Sequence, residues 1–287
     1  MATVELAHIT KSFGPVKAVD DVSYSVEKGE FFGLLGPNGA GKTTTLRILL
    51  DIFKPDSGSV QVLGGPLTDA KKDHIGYMPE ERGLYQDIPL DRCLSYLGAL
   101  KGLSQSEVKR RAQIYLERFD LASSSHKKVK ELSKGMQQKA QIIATLLHEP
   151  ELLIVDEPFS GLDPINTQLV KDILQEQRQK GATIVLCSHQ MNLVEELCDR
   201  IVLIDHGKVL LYGDLADIRK RFSGNAVLVR SSCDLPALAG VESVERINGT
   251  VQLNLAKGTE PQTVLQTLVA QKIPLERFEI AMPTLDE

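Results

Sequence analysis

Gly36-Pro37-Asn38-Gly39-Ala40-Gly41-Lys42-Thr43 is the stretch on which the fold turns. Two glycines flanking four residues, followed by lysine and a hydroxyl residue, form a loop able to wrap a phosphate chain. The apolar run Phe31-Phe32-Gly33-Leu34-Leu35 reads as a strand entering the loop, and a helical pattern from Thr44 to Leu50 leaves it. Backbone N–H groups and a helix N-terminus therefore converge on one point, which favours an anion there. Glycine lets the backbone approach phosphate oxygens, the Lys42 ammonium serves the β- and γ-phosphates, and the Thr43 hydroxyl offers a ligand to Mg2+. The expected nucleotide contacts are Gly36, Asn38, Gly39, Ala40, Gly41, Lys42, Thr43 and Thr44, with Lys42 also acting in catalysis.

Further along, Leu152-Leu153-Ile154-Val155-Asp156-Glu157 puts two carboxylates at the end of a buried strand, where open α/β sheets bind their ligands. Asp156 is expected to hold Mg2+, and Glu157 to act as general base on the water that attacks a γ-phosphate. Paired acids after a strand also begin ordinary helices; the phosphate loop upstream favours the catalytic reading. His189, two residues past the apolar run Thr183 to Cys187, is expected to report the γ-phosphate by hydrogen bonding, the alternative being a structural histidine.

The rest of the chain arranges itself around these motifs. Residues 3 to 35 alternate apolar and polar positions as strands do, whereas from about 88 to 148 apolar residues recur at three-and-four spacing, as in a helical insert. From 151 onward strands and helices alternate again, with helices over 165 to 179 and near 191 to 197, which favours a parallel sheet wrapped by helices. Beyond Phe222 the expected order is a strand at 226 to 231, a short helix at 234 to 239, and a hairpin of 241 to 247 with 250 to 255 turning at Asn248-Gly249. A helix at 261 to 271 and a strand at 275 to 281 complete it. This βαββαβ order is the ferredoxin-like plan.

Composition limits the function classes. The 287 residues are 42% hydrophobic and 25% charged, enough for a large domain and a small one without staples. A formal net charge of -5 argues against nucleic-acid binding, which needs a basic excess. Cys93, Cys187, Cys198 and Cys233 show no metal-ligand spacing, so reduced thiols in a cytosolic protein and no structural metal are expected. The start Met-Ala-Thr-Val-Glu-Leu does not read as a signal peptide, and no apolar run is long enough to cross a bilayer.

Leu132-Ser133-Lys134-Gly135-Met136-Gln137-Gln138 resembles the signature sequence of the ABC ATPases, Ser160-Gly161-Leu162-Asp163-Pro164 their D-loop, and Ser188-His189 their switch histidine. From about residue 4 to 215 the order and spacing are similar to that family. The resemblance implies ATP and Mg2+ as cofactors, Ser133 and Gly135 contacting ATP bound to a second copy or a homologous ATPase subunit, Asp163 of the D-loop among the nucleotide-binding residues, and hydrolysis coupled to a polytopic membrane permease. It implies an ABC-type α/β domain over 1–220, with a parallel core sheet, an antiparallel β-subdomain and the insert at 88–148, followed by a ferredoxin-like domain over 221–287. The subunit would sit on the cytoplasmic face of the membrane through its permease. At Ser133 the simpler reading is a helix cap; the neighbouring motifs favour the phosphate role.

Lys134 and Met136 stand where many members carry Gly and Gln, leaving Ser133 and Gly135 as the phosphate contacts. The loop Ile75 to Tyr85 takes the place of the Q-loop with Glu80 where Gln is usual; Glu80 is either a Mg2+ ligand or a solvated loop acid. This loop is expected to touch the permease. Phe13 resembles the aromatic residue that stacks on adenine, or else packs in the first sheet. Pro79-Glu80-Glu81-Arg82-Gly83-Leu84-Tyr85 and the C-terminal domain resemble a bacterial export branch of sodium or drug efflux ATPases. The tail Pro283-Thr284-Leu285-Asp286-Glu287 is similar to that branch's ending without its last apolar residues. Two rival readings are an ABC ATPase acting on nucleic acid or ribosomes and a non-hydrolysing scaffold. Strands without base-stacking aromatics oppose the first, and intact Lys42, Asp156, Glu157 and His189 oppose the second.

Overall fold

The uninterrupted apolar runs become strands buried on both faces. β3 (Phe31–Leu35), β6 (Leu152–Asp156) and β7 (Thr183–Cys187) are buried at every residue, as parallel strands covered by helices must be. They belong to a computed structural model that describes residues 2–81, 83–222, 226–233, 235–247, 250–256 and 258–281. Its two units are Met1–Asp214 and Leu215–Glu287.

With β5 (Ile75–Met78), β8 (Arg200–Asp205) and β9 (Lys208–Asp214), these strands form one sheet in the order β5-β6-β7-β3-β8-β9. All neighbours are parallel except β8 and β9, which are antiparallel across a turn at His206 and Gly207, both at positive φ. β9 alternates exposed and half-buried residues, the pattern of a rim strand. A second, antiparallel sheet holds β1 (Ala2–Phe13), β2 (Val16–Glu27) and β4 (Ser57–Val62) in the order β2-β1-β4. Between the sheets, Val4, Leu6, Val22 and Val26 pack with Phe32 and Leu34 of β3 and with Leu46 and Leu49 of α1 (Lys42–Leu49). The helix behind the phosphate loop is thus fixed from two sides by burial worth roughly 1.5–3 kcal/mol per side chain.

After the single turn α2 (Asp69–Lys72), the insert consists of α3 (Leu90–Leu100), α4 (Gln105–Arg118) and α5 (Lys134–Leu146). The Ser104 side chain caps α4 by accepting from Glu107 N–H at 3.2 Å. A Cβ on Gly98 would stand 2.4 Å from Val108 Cγ2, so α3 approaches α4 closely because that position has none. α6 (Pro164–Gln179) starts with Pro164 at its first turn and Asp163 as cap, and α7 (Met191–Leu197) follows β7. Among the described residues no helix is long and apolar enough to cross a membrane.

His148, just past α5, donates from Nε2 to the Ile75 carbonyl at 3.1 Å, which leaves Nδ1 unprotonated, buried and without a partner. Burial, and then the neighbouring Lys101 ammonium, lower its pKa to about 4. The unfolded chain takes up this proton near pH 6.5 and the folded chain only near 4, so stability falls as pH drops through that window. By pH 5 the loss is about 2 kcal/mol. His148→Gln should abolish most of the difference between urea midpoints measured at pH 7 and pH 5.

In the second unit, α8 (Leu215–Phe222) precedes a sheet of β10 (Ala226–Ser231), β11 (Val241–Ile247), β12 (Thr250–Leu255) and β13 (Leu275–Ile280). The order is β11-β12-β10-β13, antiparallel throughout, the ferredoxin-like strand order. α9 (Pro261–Ala270) covers it through Val264 and Leu268, packed on Val227, Val229, Leu253 and Leu255. The helix expected at 234–239 is absent from its described residues, 235–239. Pro236 drives Leu235 toward an extended conformation, and so short a segment cannot repay helix nucleation. Leu235 and Leu238 instead pack on the core from a loop. The Asn248-Gly249 turn and the tail from Pro283 lie outside the described residues; the flanking Ile247 and Thr250 are paired.

Candidate active site

β3 ends at Leu35 and delivers residues 36–41 to the C-terminal edge of the parallel sheet, into a cleft of about 450 Å3. Two glycines fix the loop there. Gly36 has φ 147° and a Cβ on it would fall 2.0 Å from the Ile204 carbonyl; Gly41 has φ 104° and a Cβ would fall 2.3 Å from the Ala18 carbonyl. The loop therefore touches the backbones of β8 and β2 at places where no other residue fits. Gly207 N–H donates to Ala40 O at 2.9 Å and closes it against the β8–β9 turn.

Lys42 Nζ donates to Gly36 O at 2.7 Å and Pro37 O at 3.0 Å, so the ammonium lies across the loop with one proton left for an anion. α1 has neither a side-chain cap nor an acid in its first turn, and its first N–H groups add to the positive field.

Asp156, at the end of β6, is buried, and its Oδ2 has no hydrogen-bond partner. Burial is the main reason its pKa is raised; Glu80 and Glu157 push it the same way, against the Cys187 thiol and Lys42. A buried acceptor left unpaired in an acidic surrounding is what a cation would satisfy. Among the described residues no three His, Cys, Asp or Glu side chains form a metal cage. The hard oxygen donors in the cleft, Thr43, Asp156 and Glu80, leave places for water and phosphate oxygens, which suits Mg2+.

Glu157 is held more tightly than any sequence motif implies. Its backbone is left-handed, with φ 50°, a conformation costing about 1–2 kcal/mol in a non-glycine residue. Glu157 N–H donates to Cys187 O at 2.9 Å. Its Oε1 accepts from His189 N–H at 2.9 Å and from His189 Nδ1 at 2.7 Å, and its Oε2 from Ser188 Oγ at 3.2 Å. Accepting from Nδ1–H places the neutral imidazole's lone pair on Nε2.

The expected residues fall into two groups. Gly36, Asn38, Gly39, Ala40, Gly41, Lys42, Thr43, Thr44, Glu80, Asp156, Glu157 and His189 line the cleft together with Ala18. Phe13, Ser133, Gly135 and Asp163 do not line it. Phe13 is 44% exposed and meets the Phe53 ring edge-on at 5.4 Å. Ser133 caps α5, accepting from Met136 N–H at 3.2 Å, which leaves its hydroxyl proton available. Asp163 accepts from Asn166 N–H at 2.9 Å, and this bond is the first cause holding its carboxyl below the usual range. Ser188 Oγ and Gln138 are the functional groups that sequence reasoning left without a role; both sit inside quoted motifs, but only the fold brings them to Glu157.

Residues 19–160 match the protein family described as "ABC transporter", and residues 213–287 one described as "ATP-binding protein DrrA1-3-like, C-terminal domain". The chain is 40% identical to the uncharacterized ABC transporter ATP-binding protein YhaQ of Bacillus subtilis, across 100% of this chain and 96% of that protein. It is 36% identical to the linearmycin resistance ATP-binding protein LnrL of the same organism, across 85% of this chain and 80% of that protein. A solved structure described as the dimeric structure of MJ0796, a bacterial ABC transporter cassette, superposes with a TM-score of 0.68 at 26% identity, covering 74% of this chain and 98% of that one.

Proposed function

Because the chain belongs to the ATP-binding subunits of ABC transporters, which hydrolyse ATP to power transport, we propose that two copies close around two ATP molecules and drive export through a separate membrane permease. The observation that carries this is the separation of the site into two parts on one chain. The cleft has the phosphate loop, Asp156 and Glu157, whereas Ser133 and Gly135 stand at the tip of α5 outside it. A second copy supplies the missing part: a helix N-terminus with a free hydroxyl proton, set against the γ-phosphate.

In that dimer Lys42 and the amides of residues 39–44 bind the phosphate chain. Thr43, Asp156 and Glu80 would hold Mg2+, whose charge offsets that of the phosphates. Glu157 takes the proton of the attacking water, and His189, hydrogen-bonded to Glu157 through Nδ1, contacts the γ-phosphate. Most of the rate comes from this positioning and charge stabilisation. Phe13, with its exposed face, stacks on adenine, and Asp163 fixes the loop that follows Glu157. ATP-driven closure is passed to the permease through the 77 to 100 region, at the cytoplasmic face of the membrane. The resistance function named for LnrL supports export as the direction.

The test is to change Ser133 and Gly135 together, to Ala and Asp. A Cβ added at Gly135 would meet Gly161 O at 3.4 Å, an ordinary van der Waals contact, so the backbone there has room for one, and a circular dichroism melt of the variant checks that it folds. Turnover should fall by more than tenfold and ATP-induced dimers vanish from light-scattering profiles, while ATP binding to the monomer persists. Unchanged turnover and pairing would overturn the shared-site reading.

A further inference from the structure

Gln138 is buried on α5, one and a half turns from the Ser133 cap. Its Nε2 donates to both Glu157 O and Pro158 O, each at 3.1 Å. Both amide protons are thereby used on two successive carbonyls, so the peptide plane after Pro158 is held along with the Glu157–Pro158 plane. That plane carries the left-handed Glu157, whose N–H is already held by Cys187 O. Gly135, in the first turn of α5, also lies close to the Gly161 backbone of the loop beyond Pro158. An α-helix is stiff over so few residues, so the tip of α5 and the backbone of the general base form one rigid piece.

We propose that Gln138 is a positioning residue that couples the two ATP sites of the dimer. The proposal rests on the shared-site reading above. The tip of α5 touches ATP in the partner's cleft, while Glu157 of the same chain serves ATP in its own. When ATP draws the tip of α5 in, the doubly hydrogen-bonded amide carries that displacement to the Glu157 carbonyl. The base of one site is set by occupancy of the other. Ser133 and Gly135 sense; Gln138 transmits; Glu157 responds.

Gln138→Met keeps the length and removes the donors. In the homodimer it should lower the Hill coefficient for ATP hydrolysis from about 2 toward 1, the upper value being set by two sites, with ATP affinity of the monomer unchanged within twofold. Mixed dimers locate the effect, using two affinity tags and Glu157→Gln to silence one site. With Gln138→Met on the chain that keeps Glu157, turnover should fall at least fivefold and lose its cooperativity. With Gln138→Met on the silenced chain, neither should change. Equal effects in both arrangements, a rate loss with the Hill coefficient intact, or no effect at all would each overturn the coupling. A wild-type chain that binds ATP without ever pairing would instead overturn the shared-site reading. Gln138→Glu, of equal length and unable to donate when ionised, should reproduce Gln138→Met and so separates a hydrogen-bond effect from one of side-chain size.

Discussion

Glu157→Gln is expected to lower steady-state ATP turnover by about 10^2- to 10^4-fold, the range of a general base, while leaving ATP binding in place. The amide has the carboxylate's shape, and its oxygen can still accept from His189 N–H and Nδ1, so the clamp around the side chain survives in part. What is lost is the carboxylate proposed to take the proton of water. The loop at 36–44, which lines the cleft and is expected to hold the phosphates, is left unchanged. In the proposed cycle hydrolysis is the step that reopens the dimer, so ATP with Mg2+ should trap the variant as dimers resolved by size-exclusion chromatography. Phosphate release above a tenth of the wild-type rate would mean that another group is the base.

Lys42→Ala should act earlier in the cycle, on binding. The ammonium satisfies two loop carbonyls, Gly36 O and Pro37 O, and is only 9% exposed. Alanine leaves those carbonyls without their donor and removes the positive charge that phosphate oxygens would meet. Truncating one member of a desolvated, hydrogen-bonded charge pair costs about 2–5 kcal/mol, so ATP affinity should fall at least 30-fold, as read by calorimetry. Thermal melts then separate the two variants: ATP raises the midpoint of Glu157→Gln as in the wild type, whereas at the same concentration it leaves Lys42→Ala unmoved. An equal rise in both would show that the loop binds phosphate through its amides alone.

Much of this was legible because the deciding signals are local. A glycine-spaced loop between an apolar strand and a helix, and two acids ending a second apolar strand, need no tertiary knowledge to read, and all of them line one cleft. The fully buried strands were equally plain, since strands covered on both faces need unbroken apolar runs. Strand order was not legible, because Phe31 pairs with Ile184 and no local pattern records that choice. β9 is hard to place from sequence because its apolar run Val209-Leu210-Leu211-Tyr212 does not alternate, although at the rim Leu210 and Tyr212 face out. The helix expected at 234–239 failed for the opposite reason: its periodicity was real, but Pro236 and the short span outweighed it. The grip of Ser188 and Gln138 on Glu157 depends on backbone geometry that a residue string does not carry, above all the left-handed turn at Glu157.

The position of β3 between β7 and β8 bears on how the protein is made. The strand that presents the phosphate loop leaves the ribosome early, but both of its neighbours, and the Ile204 and Gly207 backbones against which the loop is braced, come near the end of the first unit. A nascent chain therefore lacks the bracing of its glycine loop until residues 204 and 207 have emerged. Chains cut before β8 are therefore expected to bind ATP poorly, and the wait for distant pairing leaves the apolar strands uncovered in the interim.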